Sequence, residues 1–382
     1  MAAYMSEPFP DLNLSNESSP ARPAPEKAVT FLCECGNTVV AGPDENPIRC
    51  ACGRTVADLV DGVVTVPSTT GYWGEISKED MDRLILRSRQ SGWRAAVSEL
   101  PKDMQDNIMS PERAAFEDVL PLPEGSRVLD IGAGLGAVAT QLAKRYRVTA
   151  LEGVQERARF IALRKQQDKL DTLTIINSNF AEMPLAPAQY DCITVIGVLE
   201  WAPLFDPALT PEAAQEKFMR TLRNLLASGG MICLGIENRW GWAQMSGVAD
   251  HSGLPYTSLM PRWMARWVCN RNEQFRSSFN TGYRTYTYGY NGFRDLFSRA
   301  GLGIESFWIA PTSYHRPVAM VPMDRSAIGS YVQQNWLRPA VNTKSVIKNW
   351  IKWQTATPWF WRTFGSDYIF LLKALPSGPS HS

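Results

Sequence analysis

From residue 127 onward, apolar runs short enough for strands alternate with segments whose apolar residues recur at helical spacing. In order these are "RVLDIG", the helix "GAVATQLAKRY", "RVTALEG", the helix "QERARFIALRKQQDKL", "LTIINSNF", "YDCITVIGVL", the helix "AAQEKFMRTLRNLLA" and "MICLGIEN". A helix and strand in "NGFRDLFSRAGLGIESFWIAP" and the strand "SDYIFLLKAL" complete the series. Strands separated by helices pair in parallel, because each crossover must pass over one face of the sheet. The expected fold is therefore α/β, a doubly wound, mostly parallel seven-stranded sheet with helices on both faces. Ligands of such a sheet sit at the carboxyl ends of its strands. This domain is expected over 121–375, with inserts at about 240–284, rich in Trp, Tyr and Arg, and about 313–366, rich in Trp and Pro.

The first strand runs into "VLDIGAGLG", residues 128–136, where Gly132, Gly134 and Gly136 let the backbone pass close under a ligand at the start of a helix. In a dinucleotide loop the third glycine falls three residues after the second, whereas Gly136 follows Gly134 by two and position 137 is Ala. Asp130 decides more. A carboxylate there repels a pyrophosphate but favours S-adenosylmethionine, which carries an ammonium and a sulfonium and no phosphate. Glu152 ends the second strand, where an acid can accept both ribose hydroxyls, although an acid at a strand end can also be merely solvated. Asn179 and Phe180, closing the third strand, suit an adenine amino group and ring.

On these residues the chain resembles the class I S-adenosylmethionine-dependent methyltransferases, with their Rossmann-like sheet, over roughly 120–312 and the last strand. The resemblance implies that Asp130, Gly132, Gly134 and Gly136 surround the methionine part, Glu152 holds the ribose, and Asn179 and Phe180 hold the adenine. The family more often has Asp where Asn179 stands, and the amide oxygen can still accept from the adenine amino group. "IGVLEWAP", "IENRWGWAQMSGVADHSG", "YRTYTYGYNGFRDLFSRAGL" and "PTSYHRP" are similar to a bacterial subgroup that accompanies glycan, O-antigen or capsule assembly. That likeness implies methyl transfer to an oxygen of a glycan, glycolipid or related small acceptor. A saccharide or lipid-linked glycan is then the partner, with a glycosyltransferase as a companion.

The acceptor wall should lie beyond strands four and five. Its fourth-strand loop, "GVLEWAP", lacks the Asn/Asp-Pro-Pro-aromatic sequence by which amino-methylating DNA enzymes hold a base, which argues against DNA. Glu200 and Trp201 stand there, Glu200 either as a buried structural acid or as part of the acceptor site. Glu237 and Asn238 end the fifth strand, as pocket residues or as a cap on the next segment. His251, in "ADHSG", is the candidate base, with Asp250 tuning it. His315, in "SYHRP", is a second candidate, and His381 falls in the tail. Tyr283, Arg284, Tyr286, Tyr288 and Tyr290 form a strip able to stack on sugars or bases, or simply to pack on the core. "NWIKWQTATPWFWRTF" reads either as a packed helical cover or as a peripheral membrane contact through tryptophans with basic neighbours.

Ahead of this domain, residues 1–28 mix Pro, Ser, Asn and acids without an apolar period and read as a disordered leader. Residues 29–70 pair Cys33 and Cys35 with Cys50 and Cys52, each pair followed by glycine. Four thiolates in two tight turns are a zinc-ribbon layout, and they leave no open position, so the metal would be structural. The usual knuckle has two residues between its cysteines and here there is one, which keeps a small β module with free thiols as the alternative. Residues 71–120 read as a helical approach segment, with Ser77 and Asp80 in capping-box spacing. The scattered Cys192, Cys233 and Cys269 are expected in the core.

The charge balance, 39 basic against 38 acidic side chains, gives +1 and no bulk field toward nucleic acid or anionic lipid. No run approaches the roughly 18 apolar residues of a membrane span, and no signal peptide opens the chain, so it is expected to be cytoplasmic. Two other readings stay open. One is an RNA methyltransferase whose ribbon grips RNA; the flat charge distribution argues mildly against it. The other is a non-catalytic partner subunit that keeps the fold, which has no physical need of Asp130 and Glu152.

Overall fold

A computed structural model describes residues 29–41, 46–67, 72, 76–179, 183–278, 282–337, 339 and 341–376. The expected leader at 1–28, Phe180 and His381 lie outside the described residues. The N-terminal module holds β1 (Val29–Leu32), β2 (Thr38–Ala41), β3 (Ile48–Arg49), β4 (Thr55–Val60) and β5 (Val63–Thr65). The approach segment is helical, with α1 (Lys78–Ser91), α2 (Trp93–Ser98) and α3 (Lys102–Met109), followed by a 3-10 turn over Pro111–Val119. The Ser77 hydroxyl caps α1 by accepting from the Asp80 backbone N–H at 3.1 Å.

The alternation then runs β6 (Arg127–Ile131), α4 (Ala137–Leu142), β7 (Arg147–Glu152), α5 (Gln155–Asp168), β8 (Leu173–Asn177), β9 (Tyr190–Ile196), α6 (Ala202–Phe205), α7 (Pro211–Leu225) and β10 (Leu226–Glu237). The first insert carries α8 (Trp242–Met245), α9 (Arg262–Arg271) and α10 (Glu273–Ser278). After it come α11 (Tyr290–Arg299) and β11 (Leu302–Ala310). The second insert carries β12 (Val321–Pro322), α12 (Arg325–Tyr331), a π turn at Val332–Trp336, α13 (Thr343–Gln354) and α14 (Pro358–Phe364), and β13 (Asp367–Ala374) closes the chain.

The expected seven strands are present in the order β8-β7-β6-β9-β10-β13-β11, parallel from β8 to β10 and antiparallel through β13 and β11. The sheet is longer than the sequence indicated. β12 adds to one edge, and β5, β4 and β3 add to the other, through a parallel pairing of Val64 with Ile176 and Thr65 with Asn177. The cysteine module is thus continuous with the main sheet. Its first hairpin is also tied down, since the Leu32 N–H donates to Pro184 and the Ala186 N–H to Thr30. A unit of some forty residues buries too little surface to hold itself, and here Phe31 and Ile48 share the core of the large sheet with Leu151 and Ile176.

Period-two alternation divides the core. Leu129 and Ile131 face the layer that holds α7 and α11, whereas Val128 shares the other face with Ala139 and Ile161 of α4 and α5. Cys192 and Cys233 are buried on that second face, and Cys269 is buried within the first insert, as expected of core thiols.

Candidate functional site

The chain reverses its direction of travel across the sheet between β6 and β9, and the connections after these strands splay apart to leave a crevice at their carboxyl ends. A cavity of about 450 Å³ opens there. Asp130, Gly132, Gly134, Glu152 and Asn179 line one part of it, and Glu200, Trp201, His251, Tyr314 and His315 line the other. Residues separated by nearly two hundred positions therefore face one space.

Three positive φ values, +66° at Gly132, +57° at Gly134 and +78° at Gly136, shape the loop after β6. A Cβ at Gly132 would lie 2.7 Å from Val198, so this position tolerates no side chain, while at Gly134 the nearest atom is 3.9 Å away. Asp130 is buried. Register places it opposite Thr194 on β9, and the Thr194 hydroxyl donates to Oδ1 at 2.6 Å. Oδ2 has no hydrogen-bond partner. Burial pushes this carboxyl up to about 7 against the pull of the Thr194 bond. A buried, half-satisfied acid beside an open glycine loop suits a cationic ligand, and so the donor set fits S-adenosylmethionine.

Glu152 is positioned differently from a simple ribose acceptor. Its Oε2 accepts from the Gly134 N–H at 2.7 Å and Oε1 from the Val154 N–H at 2.9 Å, so it also pins the glycine loop to the end of β7. Burial raises its pKa while Arg157 and these backbone donors oppose the rise. Asn179 lines the cavity on the same side.

On the acceptor side the adjacent strands β9 and β10 bring Glu200 and Glu237 together, and the first insert lays His251 between them. His251 Nε2 lies 3.0 Å from Glu237 Oε2 and 3.4 Å from Glu200 Oε1, and Trp201 meets the imidazole edge-on at 4.8 Å. Burial works against charge on His251, but Glu237 and Glu200 outweigh it and lift the pKa to about 10. Glu237 is pushed up by burial, yet His251 holds it down at about 2, while burial carries Glu200 up to about 8. Asp250, expected to tune His251, does not pair with it. Its carboxylate accepts from the Ser252 N–H at 2.8 Å and from the Tyr283 hydroxyl at 3.3 Å, which fixes the loop, and its charge adds to the rise of the His251 pKa after those of Glu237 and Glu200. Adjacent residues on a turn point apart, and the partner acids came from the strand ends.

His315 is buried, and its Nδ1 has no hydrogen-bond partner. Burial and Arg113 push its pKa down to about 4, so the ring is neutral. Gly197, at φ +70°, leaves room for it, since a Cβ there would approach the Tyr314 hydroxyl to 2.8 Å and His315 to 3.0 Å. Tyr314, not singled out from the sequence, donates to Glu237 at 3.3 Å. Thr194 was also missed; a lone hydroxyl in "DCITVIGV" was its only signal. Asn238 is structural, with Nδ2 donating to Thr363 and Gly365 and Oδ1 accepting from Trp240. The tyrosine strip packs inward at Tyr283 and Tyr286, and Arg284 donates to the carbonyls of Pro203, Asp206 and Leu209.

The four N-terminal cysteines also converge. Cys33 and Cys52 sulfurs are 3.7 Å apart, those of Cys35 and Cys50 are 3.5 Å apart, and all four lie within 4.8 Å of one another. Zn–S bonds of about 2.3 Å in a tetrahedron put sulfurs about 3.8 Å apart, so the group fits zinc despite the one-residue spacing.

Residues 129–234 match the family model described as a methyltransferase domain. Among solved structures the chain is similar to the phosphoethanolamine N-methyltransferase 2 of Haemonchus contortus in complex with S-adenosyl-L-methionine. Identity is 14% and TM-score 0.43, over 80% of this chain and 61% of that one. It is also similar to the CcbJ methyltransferase of Streptomyces caelestis, at 15% identity and TM-score 0.41, over 74% and 96%. No curated protein matches the sequence. With the matched domain and the glycine-loop site together, the chain carries an S-adenosylmethionine-dependent methyltransferase domain.

The raised Asp130 pKa sets a pH dependence. The folded state holds a proton that the unfolded chain releases near the ordinary carboxylate value, so this residue favours folding most at low pH. Its contribution declines as pH rises from about 4 through 7. Asp130→Asn should match the wild type near pH 4 and exceed it at pH 8 by up to about 4 kcal/mol in urea unfolding without ligand. S-adenosylmethionine binding by calorimetry should weaken at least about tenfold. Equal stability of the two proteins at pH 8 would contradict this account.

Proposed function

We propose that the chain transfers a methyl group to an oxygen of a glycan, glycolipid or related small acceptor. The observation that carries this reading is the single cavity joining the Asp130 loop to a polar wall of Glu200, His251 and His315 beside Trp201. An aromatic face flanked by carboxylates and imidazoles matches a sugar, which offers apolar C–H faces and several hydroxyls. When bound, S-adenosylmethionine supplies an electrophilic methyl on a sulfonium. Asp130 and the glycine loop hold its methionine part, with Glu152 on the ribose and Asn179 on the adenine. His251, expected as the base, is ion-paired between Glu237 and Glu200 and orients the acceptor. His315 takes the acceptor proton at Nδ1, and Asp250 positions the loop that carries His251. Alignment of acceptor and methyl supplies most of the remaining rate.

The test uses radiolabelled-methyl S-adenosylmethionine and the purified protein with lysate split into RNA, protein, glycolipid and small-molecule fractions. Label is expected in the saccharide or glycolipid fraction and absent with Asp130→Ala; label in RNA would overturn the reading in favour of an RNA enzyme, and no label anywhere would favour a non-catalytic subunit. His315→Ala should lower kcat by about 10²-fold or more with cofactor affinity unchanged.

The cysteine cluster is assigned a structural zinc. One zinc per chain is expected by elemental analysis, with loss of that zinc and a lower Tm in Cys50→Ser; an unchanged Tm and no zinc in the wild type would reject the assignment.

A lipid-linked acceptor on the cytoplasmic side of a membrane, assembled by a companion glycosyltransferase, is consistent with α13. No residue of this helix is buried. Val346, Ile347, Trp350, Ile351 and Trp353 are exposed along one arc, Lys344, Lys348 and Lys352 follow each other at four-residue spacing, and no acid interrupts them. No described helix is long and apolar enough to cross a membrane. Sedimentation with vesicles containing anionic phospholipid should capture the protein, and the triple Lys→Glu variant of α13 should bind at least about tenfold more weakly; equal binding of the two would remove the membrane contact.

A further inference from the structure

Glu200 presents a problem that the ion-paired cluster does not solve. It is wholly buried, and neither of its carboxylate oxygens has a hydrogen-bond partner. Its ion-pair contact is with His251 Nε2 at 3.4 Å, which makes no hydrogen bond to it, while that nitrogen gives its shorter contact to Glu237 at 3.0 Å. A buried carboxyl in this state either keeps its proton, still without a hydrogen-bond partner, or needs a cation to complete it.

We propose that Glu200, Glu237 and His251 form a binding site for one divalent cation at the acceptor end of the cavity, the cation taking the place of the proton on His251 Nε2, which is released to solvent as the metal enters. One ligand atom from each of the three residues lies within 4.8 Å of the other two. With metal–ligand bonds of about 2.1 Å, neighbouring ligands sit about 3.0 Å apart in an octahedron and about 3.4 Å apart in a tetrahedron, the separations His251 Nε2 already has from the two carboxylates. Two carboxylates and one imidazole suit a cation of intermediate hardness, such as Mn²⁺, and three protein ligands leave further positions for hydroxyls or water. The surroundings hold these ligands in place. Tyr314 donates to the second oxygen of Glu237, and Trp201 packs against the His251 ring.

The site faces the cavity through Glu200 and His251, so a cation there meets the acceptor rather than the adenosine side. An acceptor hydroxyl coordinated to it becomes more acidic; its O–H bond breaks, the electron pair stays on oxygen, and the proton passes to the free Nδ1 of His315. This assignment rests on the acceptor side proposed above, and metal binding itself is measurable without any acceptor.

The experiment titrates the full-length protein, as purified, with Mn²⁺ and follows free Mn²⁺ by electron paramagnetic resonance. Mn²⁺ competes poorly for four thiolates, so the cysteine cluster does not contribute. The expected result is one Mn²⁺ per chain, with affinity lowered at least about 100-fold in Glu237→Gln and in His251→Ala. Unchanged S-adenosylmethionine affinity in these variants verifies that they fold; were either to lose it, the wild-type titration alone decides. Full free-Mn²⁺ signal up to millimolar concentration, or variants that titrate like the wild type, would overturn the site. Methyl transfer to the glycan fraction that persists at full rate in protein stripped with EDTA would deny the cation a role while leaving the acceptor reading intact. Stoichiometric Mn²⁺ binding with label only in RNA would do the reverse.

Discussion

The pairing of β6 with β9 is the contact on which the rest of the site depends. It places Asp130 opposite Thr194 in the middle of a buried parallel sheet, and it sends the two following loops to opposite sides of a crevice. Thr194 satisfies one carboxylate oxygen and leaves the other bare. That leftover oxygen and the open side of Gly134 define where a cationic ligand belongs. Glu152 then ties the glycine loop to β7, so the donor side is preorganised by hydrogen bonds that do not need the ligand.

The acceptor side is organised by charge rather than by loop geometry. Glu200 and Glu237 emerge from neighbouring strands into a space too dry to tolerate two free carboxylates, and His251 is drawn between them. The first insert owes its position to this triad and to its own small core around Ala265, Cys269, Phe275, Tyr283 and Tyr286. The second insert anchors partly on the first, through Trp336 stacked on Trp361 at 5.1 Å with Trp242 of α8 edge-on to both. Trp336 and Trp361 are scaffold, whereas Trp350, Trp353 and Trp359 are exposed, the first two on the outward apolar arc of α13.

The cysteine module shows a similar economy. Its hairpins are too small to fold on a core of their own, and they borrow one by extending the sheet past β8. A zinc at the four thiolates would stiffen the far end of an edge that the sheet already supports. This differs from an independent ribbon on a tether, and a module so fixed presents one orientation to the domain.

The sequence by itself determined the seven-stranded α/β sheet, the glycine loop, the paired cysteines and the Ser77 cap. Each of these is local: strand and helix periods, glycine φ preferences and a cap three residues from its acceptor are all written within a dozen positions. Asp130 and Glu152 were legible for the same reason, because a strand end followed by a glycine turn fixes where the next side chains point. What only the tertiary structure decided is who meets whom across the crevice. That Glu237 and Glu200, rather than the adjacent Asp250, embrace His251 depends on the order of β9 and β10. That Tyr314 and His315 enter the same cavity depends on Gly197 yielding space, and that the cysteine module joins the sheet depends on β8 having a free edge. Those contacts link residues tens to hundreds of positions apart, where the burial of charge and apolar surface, summed over the whole fold, selects the arrangement.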